Sequence, residues 1–136
     1  MKKPLIIFLF LLGLLFTTQA QTIEDSHGST VCKIRSDGTI EDKHGMTAGK
    51  FYSDGRIEDS HGMSIGKIRA DGTFEDSHGM TAGKLESTGT IDNNHNQTIG
   101  KILSDGNVED SHGSTIAKAR NIKREWVVAY LFFYKF

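Results

Sequence analysis

The stretch Ser36-Asp37-Gly38-Thr39-Ile40-Glu41-Asp42-Lys43-His44-Gly45-Met46-Thr47-Ala48-Gly49-Lys50-Phe51-Tyr52 decides the fold, because the next 17 residues repeat it. Ser53-Asp54-Gly55 restarts the unit, His61-Gly62-Met63 follows at the same offset, and Gly66-Lys67 comes next in register. Outward in both directions the histidines stand at 27, 44, 61, 78, 95 and 112, each 17 residues after the last. Three glycine columns keep the same period. The first is Gly38, Gly55, Gly72, Gly89 and Gly106; the second is Gly28, Gly45, Gly62, Gly79 and Gly113, with Asn96 in the remaining place. The third is Gly49, Gly66, Gly83 and Gly100, replaced by Cys32 and Ala117 in the outer copies. Of the chain's 15 glycines only Gly13 lies outside these columns. A fixed period without insertion or deletion marks a repeat protein.

Each unit reads as two short strands and two tight turns, one at S-D-G and one at S-H-G. No segment among the repeats holds a 3.6-residue period long enough for a helix. The side chains select the turn. A two-residue loop at Asp37-Gly38 sets Arg35 against Ile40 and Ile34 against Glu41, which is poor pairing. A three-residue loop, a type I turn with Gly38 in the left-handed bulge position, sets Ile34 against Ile40 and Lys33 against Glu41. The same register pairs Phe51 with Ile57, Ile68 with Phe74, Leu85 with Ile91 and Ile102 with Val108. On the other face it pairs Lys50 with Glu58, Lys67 with Glu75, Lys84 with Asp92 and Lys101 with Glu109. Each such pair adds a few tenths of a kcal/mol, up to about 1. The three-residue loop wins.

The third glycine column lies mid-strand, which predicts a bulge or a close approach by other backbone. One hairpin of this size cannot bury its apolar face, so the hairpins share a core. Closure into a ring removes exposed sheet edges. The expected fold is therefore all-β: a closed ring of five short β-hairpins from 17-residue repeats over residues 21–122, with a C-terminal aromatic strand filling the core. That strand is read at residues 123–136, where Trp126-Val127-Val128-Ala129-Tyr130-Leu131-Phe132-Phe133-Tyr134-Lys135-Phe136 breaks the repeat and supplies the bulk that the repeats lack. Its alternating large residues also resemble the closing strand of an outer-membrane barrel, but the repeat strands are too short and too charged to offer lipid an apolar band.

The N-terminus is a different kind of segment. Lys2 and Lys3 precede an apolar run from Leu5 to Phe16, then Thr18 and Ala20 give small residues at a cleavage point after Ala20. This is the layout of a secretory signal over residues 1–20. The apolar run is too short to span a bilayer comfortably. Export across the inner membrane is expected, to the periplasm, cell surface or exterior, with no integral span in the mature chain. The 136-residue length allows one modest domain, and a net charge of -1 gives no basic face for nucleic acid. One cysteine excludes a disulfide framework or zinc ribbon.

The repeated polar residues invite three chemical readings. Asp25-Ser26-His27 and its copies contain the residue types of a hydrolase triad, but neighbours on one tight turn splay apart instead of converging. Asp or Ser before a turn accepts hydrogen bonds from the following amides, which explains their repetition without catalysis. A ring of equivalent turns places His44, His61, His78 and His95 on one rim, where inward-leaning imidazoles would bind Zn²⁺ or Ni²⁺. Against this, Glu41 and Asp42 point to opposite faces and supply no converging support. Cys32, in a column of small residues, reads as a buried thiol, with pairing between chains as the alternative. Met46, Met63 and Met80 recur beside the H-G turn as packing residues or an adaptable binding surface.

The signal-like start, the S-D-G and D-S-H-G repeats and the terminal aromatic stretch resemble the secreted bacterial proteins described as 5-fold β-flowers. The resemblance covers nearly all of residues 21–136. It implies five hairpin petals about an axis and a family without an established activity. The fourth petal departs from the pattern: Thr88 replaces Asp, and Asn93, Asn94, Asn96 and Gln97 replace the usual residues. The expected function is a secreted, non-enzymatic structural or binding module for a polymer or protein partner, with no catalytic residues, cofactor or dedicated metal site. A metal-binding protein using the histidine rim is the alternative, and an outer-membrane-associated component a more distant one.

Overall fold

The computed structural model describes residues 21–136, so the export signal read at residues 1–20 lies outside the described residues. Each copy of the repeat yields a four-residue and a five-residue strand. The first three copies hold β1 (Thr22–Asp25) and β2 (Thr30–Ile34), β3 (Thr39–Asp42) and β4 (Thr47–Phe51), then β5 (Arg56–Asp59) and β6 (Ser64–Ile68). The next three hold β7 (Thr73–Asp76) and β8 (Thr81–Leu85), β9 (Thr90–Asn93) and β10 (Thr98–Ile102), then β11 (Asn107–Asp110) and β12 (Thr115–Ala119). Neighbours in sequence pair antiparallel, and β12 pairs with β1 to close the sheet into a barrel.

The D-G connections have the register that the side chains demand. Ile34 faces Ile40 and Lys33 faces Glu41; Phe51 faces Ile57 and Lys50 faces Glu58. The pattern continues through Ile68 and Phe74, Leu85 and Ile91, and Ile102 and Val108. At the first of these turns the Gly38 amide donates to the Arg35 carbonyl and the Arg35 amide to the Thr39 carbonyl, both at 2.9 Å. Gly38 adopts φ +93°, and a Cβ there would run into the Phe51 carbonyl of the next strand pair. Positive φ and close backbone approach both require glycine.

The count of hairpins differs from the expected five. Twelve strands make six hairpins across the H-G turns, joined by five D-G turns. The sixth equivalent of a D-G pairing joins the ends of the barrel wall: Ile23 faces Ala119 and Glu24 faces Lys118. These are the same apolar and charged contacts as at Ile40 and Glu41, made without a connecting turn. Arg120 also reaches Glu24 across the seam at 3.3 Å. Counting turns misses a pairing that no turn announces.

The mid-strand glycines sit beside bulges. Ile40 lies opposite Gly49 while Glu41 lies opposite Thr47, so Ala48 is the extra residue. The same shift recurs where Ile57 meets Gly66 and Phe74 meets Gly83. The inner face of the wall carries Ile23, Ile40, Ile57, Phe74, Ile91 and Val108, all fully buried. The outer face carries the Lys–Glu ladder, tightened by Arg35–Glu41 at 2.9 Å and Arg69–Glu75 at 2.7 Å. Strands of four or five residues with charged outer faces offer no apolar band of the nine to eleven residues, roughly, that a membrane barrel strand needs.

The C-terminal segment is not the expected strand. It forms α1 (Arg124–Val128), then one π-helical turn (Ala129–Phe133), and becomes extended at Tyr134. Its β-branched and aromatic composition favours a strand. A closed sheet, however, has no edge to pair with, and a segment inside it must satisfy its own amides and carbonyls. A helical segment does this and stays compact. The prediction that it fills the core holds: Trp126, Val127, Val128, Ala129 and Tyr134 belong to the buried cluster with the wall residues. Barrel width grows with strand number, and about eight strands already hold a full set of interior side chains. A twelve-stranded wall lined partly by glycine needs a plug.

Candidate functional site

The barrel has two unlike mouths, one ringed by D-G turns and the other by H-G turns. The C-terminal segment enters past the D-G turns. There Trp126 stacks on Phe51 with centroids 5.4 Å apart, and Lys123 lies 4.9 Å from the Trp126 ring. Two polar clefts border the plug where it enters this mouth. One, of about 450 Å³, is bordered by Asp105, Lys118, Arg120 and Arg124. The other, of about 320 Å³, is bordered by Tyr52, Asp54, Arg69 and Lys123. Both mix charge of either sign and are open to solvent.

At the other end the aromatic side chains of the plug spread towards the wall like spokes. Phe132 meets Gly100, where an added Cβ would lie 2.7 Å from its ring. Phe133 meets Gly83, Tyr134 meets Gly66, and Phe136 meets Gly49. The tail thus visits the copies in descending order as its own numbering rises. Tyr130 completes the set beside Cys32, which occupies the same column in the first copy. Tyr134 donates its hydroxyl to the Glu75 carbonyl at 2.6 Å, which fixes the spoke's angle. The third glycine column is therefore a set of sockets. The sequence signals both halves, mid-strand glycines and surplus tail aromatics, but not which ring enters which socket.

Cys32 is fully buried, as its column predicts. Burial pushes its thiol up to about 11, so it stays protonated at neutral pH. Burial likewise pushes the Tyr130 hydroxyl up to about 12. A sheltered, protonated thiol disfavours pairing between chains.

The H-G turns are built by their aspartates. Asp42 Oδ1 accepts from the His44 amide at 2.8 Å and the Met46 amide at 3.0 Å. The Gly45 amide donates to the Asp42 carbonyl at 3.0 Å, completing a three-residue loop with Gly45 at φ +80°. Asp25, Asp59, Asp76 and Asp110 repeat the double acceptance, and Asn93 performs it with its side-chain oxygen. Asn96 takes the positive φ, +61°, that glycine takes elsewhere. These amide bonds hold the carboxyls of Asp25, Asp42, Asp76 and Asp110 below the usual carboxylate range.

Tested against this geometry, the residues of the triad reading do not converge. The carboxylate oxygen serves backbone amides, not an imidazole nitrogen. Ser60 Oγ does approach His61 Nδ1 at 3.4 Å, but no carboxylate orients that ring in turn. The six histidines are exposed on the rim. Among the described residues, no three His, Cys, Asp or Glu side chains gather to hold a metal ion.

What the H-G mouth does gather is apolar. Tyr130, Leu131, Phe132, Phe133 and Phe136 are only partly buried and form its floor. Above these stand Met46, Met63 and Met80, with 67 %, 65 % and 66 % of their surface exposed. Met46 lies directly across its turn from Asp42, which shares its strand face with the buried Ile40. Strand alternation thus sets Met46, and by repetition Met63 and Met80, on the axis-facing side of the rim. The first and sixth copies carry Ser29 and Ser114 there, and the fifth Gln97, so the methionines form one continuous arc.

Neither a curated protein nor a solved structure matches the chain. A family model described as 5-fold beta-flower protein matches residues 20–135, which is nearly the whole repeat wall and plug together. On that match the chain belongs to the 5-fold beta-flower protein family.

Proposed function

We propose that this chain is an exported, non-enzymatic binding module whose H-G mouth engages an extracellular polymer or protein. The observation that carries the reading is the arc of Met46, Met63 and Met80, about two-thirds exposed beside a partly exposed aromatic floor. A contiguous exposed apolar patch on a monomeric protein marks an interaction site, and methionine suits partners of varied shape. The turns beneath are rigid, because an Asp or Asn oxygen ties two amides in every copy. Equivalent contacts around one rim favour an extended ligand held by several weak interactions at once.

The test is retention on arrays of bacterial cell-wall polysaccharides and extracellular-matrix proteins, with the chain compared to a triple variant Met46→Ser, Met63→Ser, Met80→Ser. Serine already stands at the equivalent Ser29 and Ser114, so the variant keeps the turns. The expected result is selective retention of the natural chain and its loss in the variant. Equal retention of both, or retention of neither, overturns the proposal.

A further inference from the structure

The three methionines share a second property that apolar docking does not use. Each is two residues from an exposed histidine, in His44-Gly45-Met46, His61-Gly62-Met63 and His78-Gly79-Met80. In each turn the amides of that His and that Met bond to one aspartate oxygen, at 2.8–3.0 Å. The backbone is thereby fixed while both side chains project from it. Ser60 and Ser77 hydroxyls lie 3.4 Å from Nδ1 of His61 and His78, and both rings are exposed. Equivalent positions on neighbouring hairpins are two strand spacings apart, roughly 10 Å. Two flexible methionine side chains can meet across that gap, with an imidazole from either turn beside them.

From this we infer that the arc from His44 to Met80 binds a soft monovalent cation, Cu(I) or Ag(I), through thioether sulfur and imidazole nitrogen. Thioether ligands select soft ions, and imidazole completes a low-coordinate site. Zn²⁺ finds no such set here, since no three hard or borderline ligands gather among the described residues. The step is coordination only, with no change in oxidation state. It is independent of the polymer-binding proposal, because it depends on sulfur and not on apolar surface.

The probe is Ag(I), titrated into protein carrying Cys32→Ala so that the buried thiol cannot compete. Alanine is already accommodated at Ala117 in the same column. The readouts are the methionine ε-methyl resonances and the affinity by calorimetry. The expected result is a shift of the Met46, Met63 and Met80 methyl signals. Affinity should also weaken about tenfold or more in the triple variant Met46→Leu, Met63→Leu, Met80→Leu, which keeps apolar bulk and removes sulfur. Unmoved methyl signals overturn the inference, and so does equal affinity in the leucine variant. If the leucine variant does not fold, the methyl signals of the methionine-bearing protein decide alone.

Discussion

The wall and the plug are built on opposite principles. The wall obeys one rule through six copies: two short strands, mostly aliphatic inward residues, alternating charge outside, and an H-G turn whose amides an Asp or Asn oxygen ties. The plug obeys no period. Its rings differ in kind and each meets a different copy, yet together they fill the space that the wall's glycines leave. Periodicity builds an enclosure cheaply, but an enclosure of identical units is symmetric and hollow. A single non-repeating segment makes it solid.

The largest expected effect comes from removing that segment. Deleting residues 124–136 removes Trp126, Val127, Val128 and Tyr134 from the buried cluster and empties all the sockets. Several core side chains are lost at once, each worth about 2–5 kcal/mol, against a total stability of about 5–15 kcal/mol. The truncated chain is expected to lose its cooperative thermal transition, followed by circular dichroism. A sharp transition near that of the full chain would mean the wall stands alone.

A smaller effect sharpens the same comparison at one socket. A Cβ on Gly100 would lie 2.7 Å from the Phe132 ring and 2.6 Å from the Glu109 carbonyl. Gly100→Ala is expected to cost about 1–3 kcal/mol through overpacking. Phe132→Ala, at a partly buried ring, costs about 2–3 kcal/mol by itself. The double variant should fall short of their sum by about 1 kcal/mol, since removing the ring relieves part of the clash while the carbonyl remains. Gly45→Ala is the control: it is strained by φ +80° but meets nothing within 4 Å. Its cost should add to that of Phe132→Ala within about 0.5 kcal/mol. Additivity at Gly100, measured by denaturant unfolding, would sink the socket interpretation.

The difference between wall and plug also governs what can be read from sequence. The D-G register is legible because only one loop length pairs Ile34 with Ile40 and Lys33 with Glu41, and every copy repeats the vote. The sixth pairing is not, because Ile23 and Ala119 are 96 residues apart with no turn between them. The plug's location is legible from its surplus aromatics, but its conformation is not. Trp126 to Phe136 has strand-like composition, and only the closed sheet around it removes the partners a strand requires. At the H-G mouth the residues are all visible in sequence, whereas their use is not. The Asp42 side chain reads first as a turn acceptor, with ligand and acid as rivals, and its oxygen between two amides bears the turn role out.

The smallest effect separates the H-G turns from one another. Their aspartates have lowered carboxyl values in the fold, first because the amides of Ser29, Met46, Met80 and Ser114 donate to Asp25, Asp42, Asp76 and Asp110. A folded-state value below the unfolded one stabilises the protein above the ordinary carboxyl range. That contribution disappears as pH falls through the folded value. The fifth turn uses Asn93, which accepts the same two amide bonds at 2.8 and 3.0 Å and carries no titrating proton. Replacing Asp25, Asp42, Asp76 and Asp110 by Asn should leave Tm near neutral pH almost unchanged and flatten its decline between about pH 5 and 2. Replacing them by Ala should instead lower Tm at every pH, because the amides lose their acceptor whatever the protonation state. An unflattened acid limb in the asparagine variant would place the acid sensitivity elsewhere, with the D-G turn residues Asp37, Asp54 and Asp71, whose carboxyls are lowered in the same way, as the next to exchange.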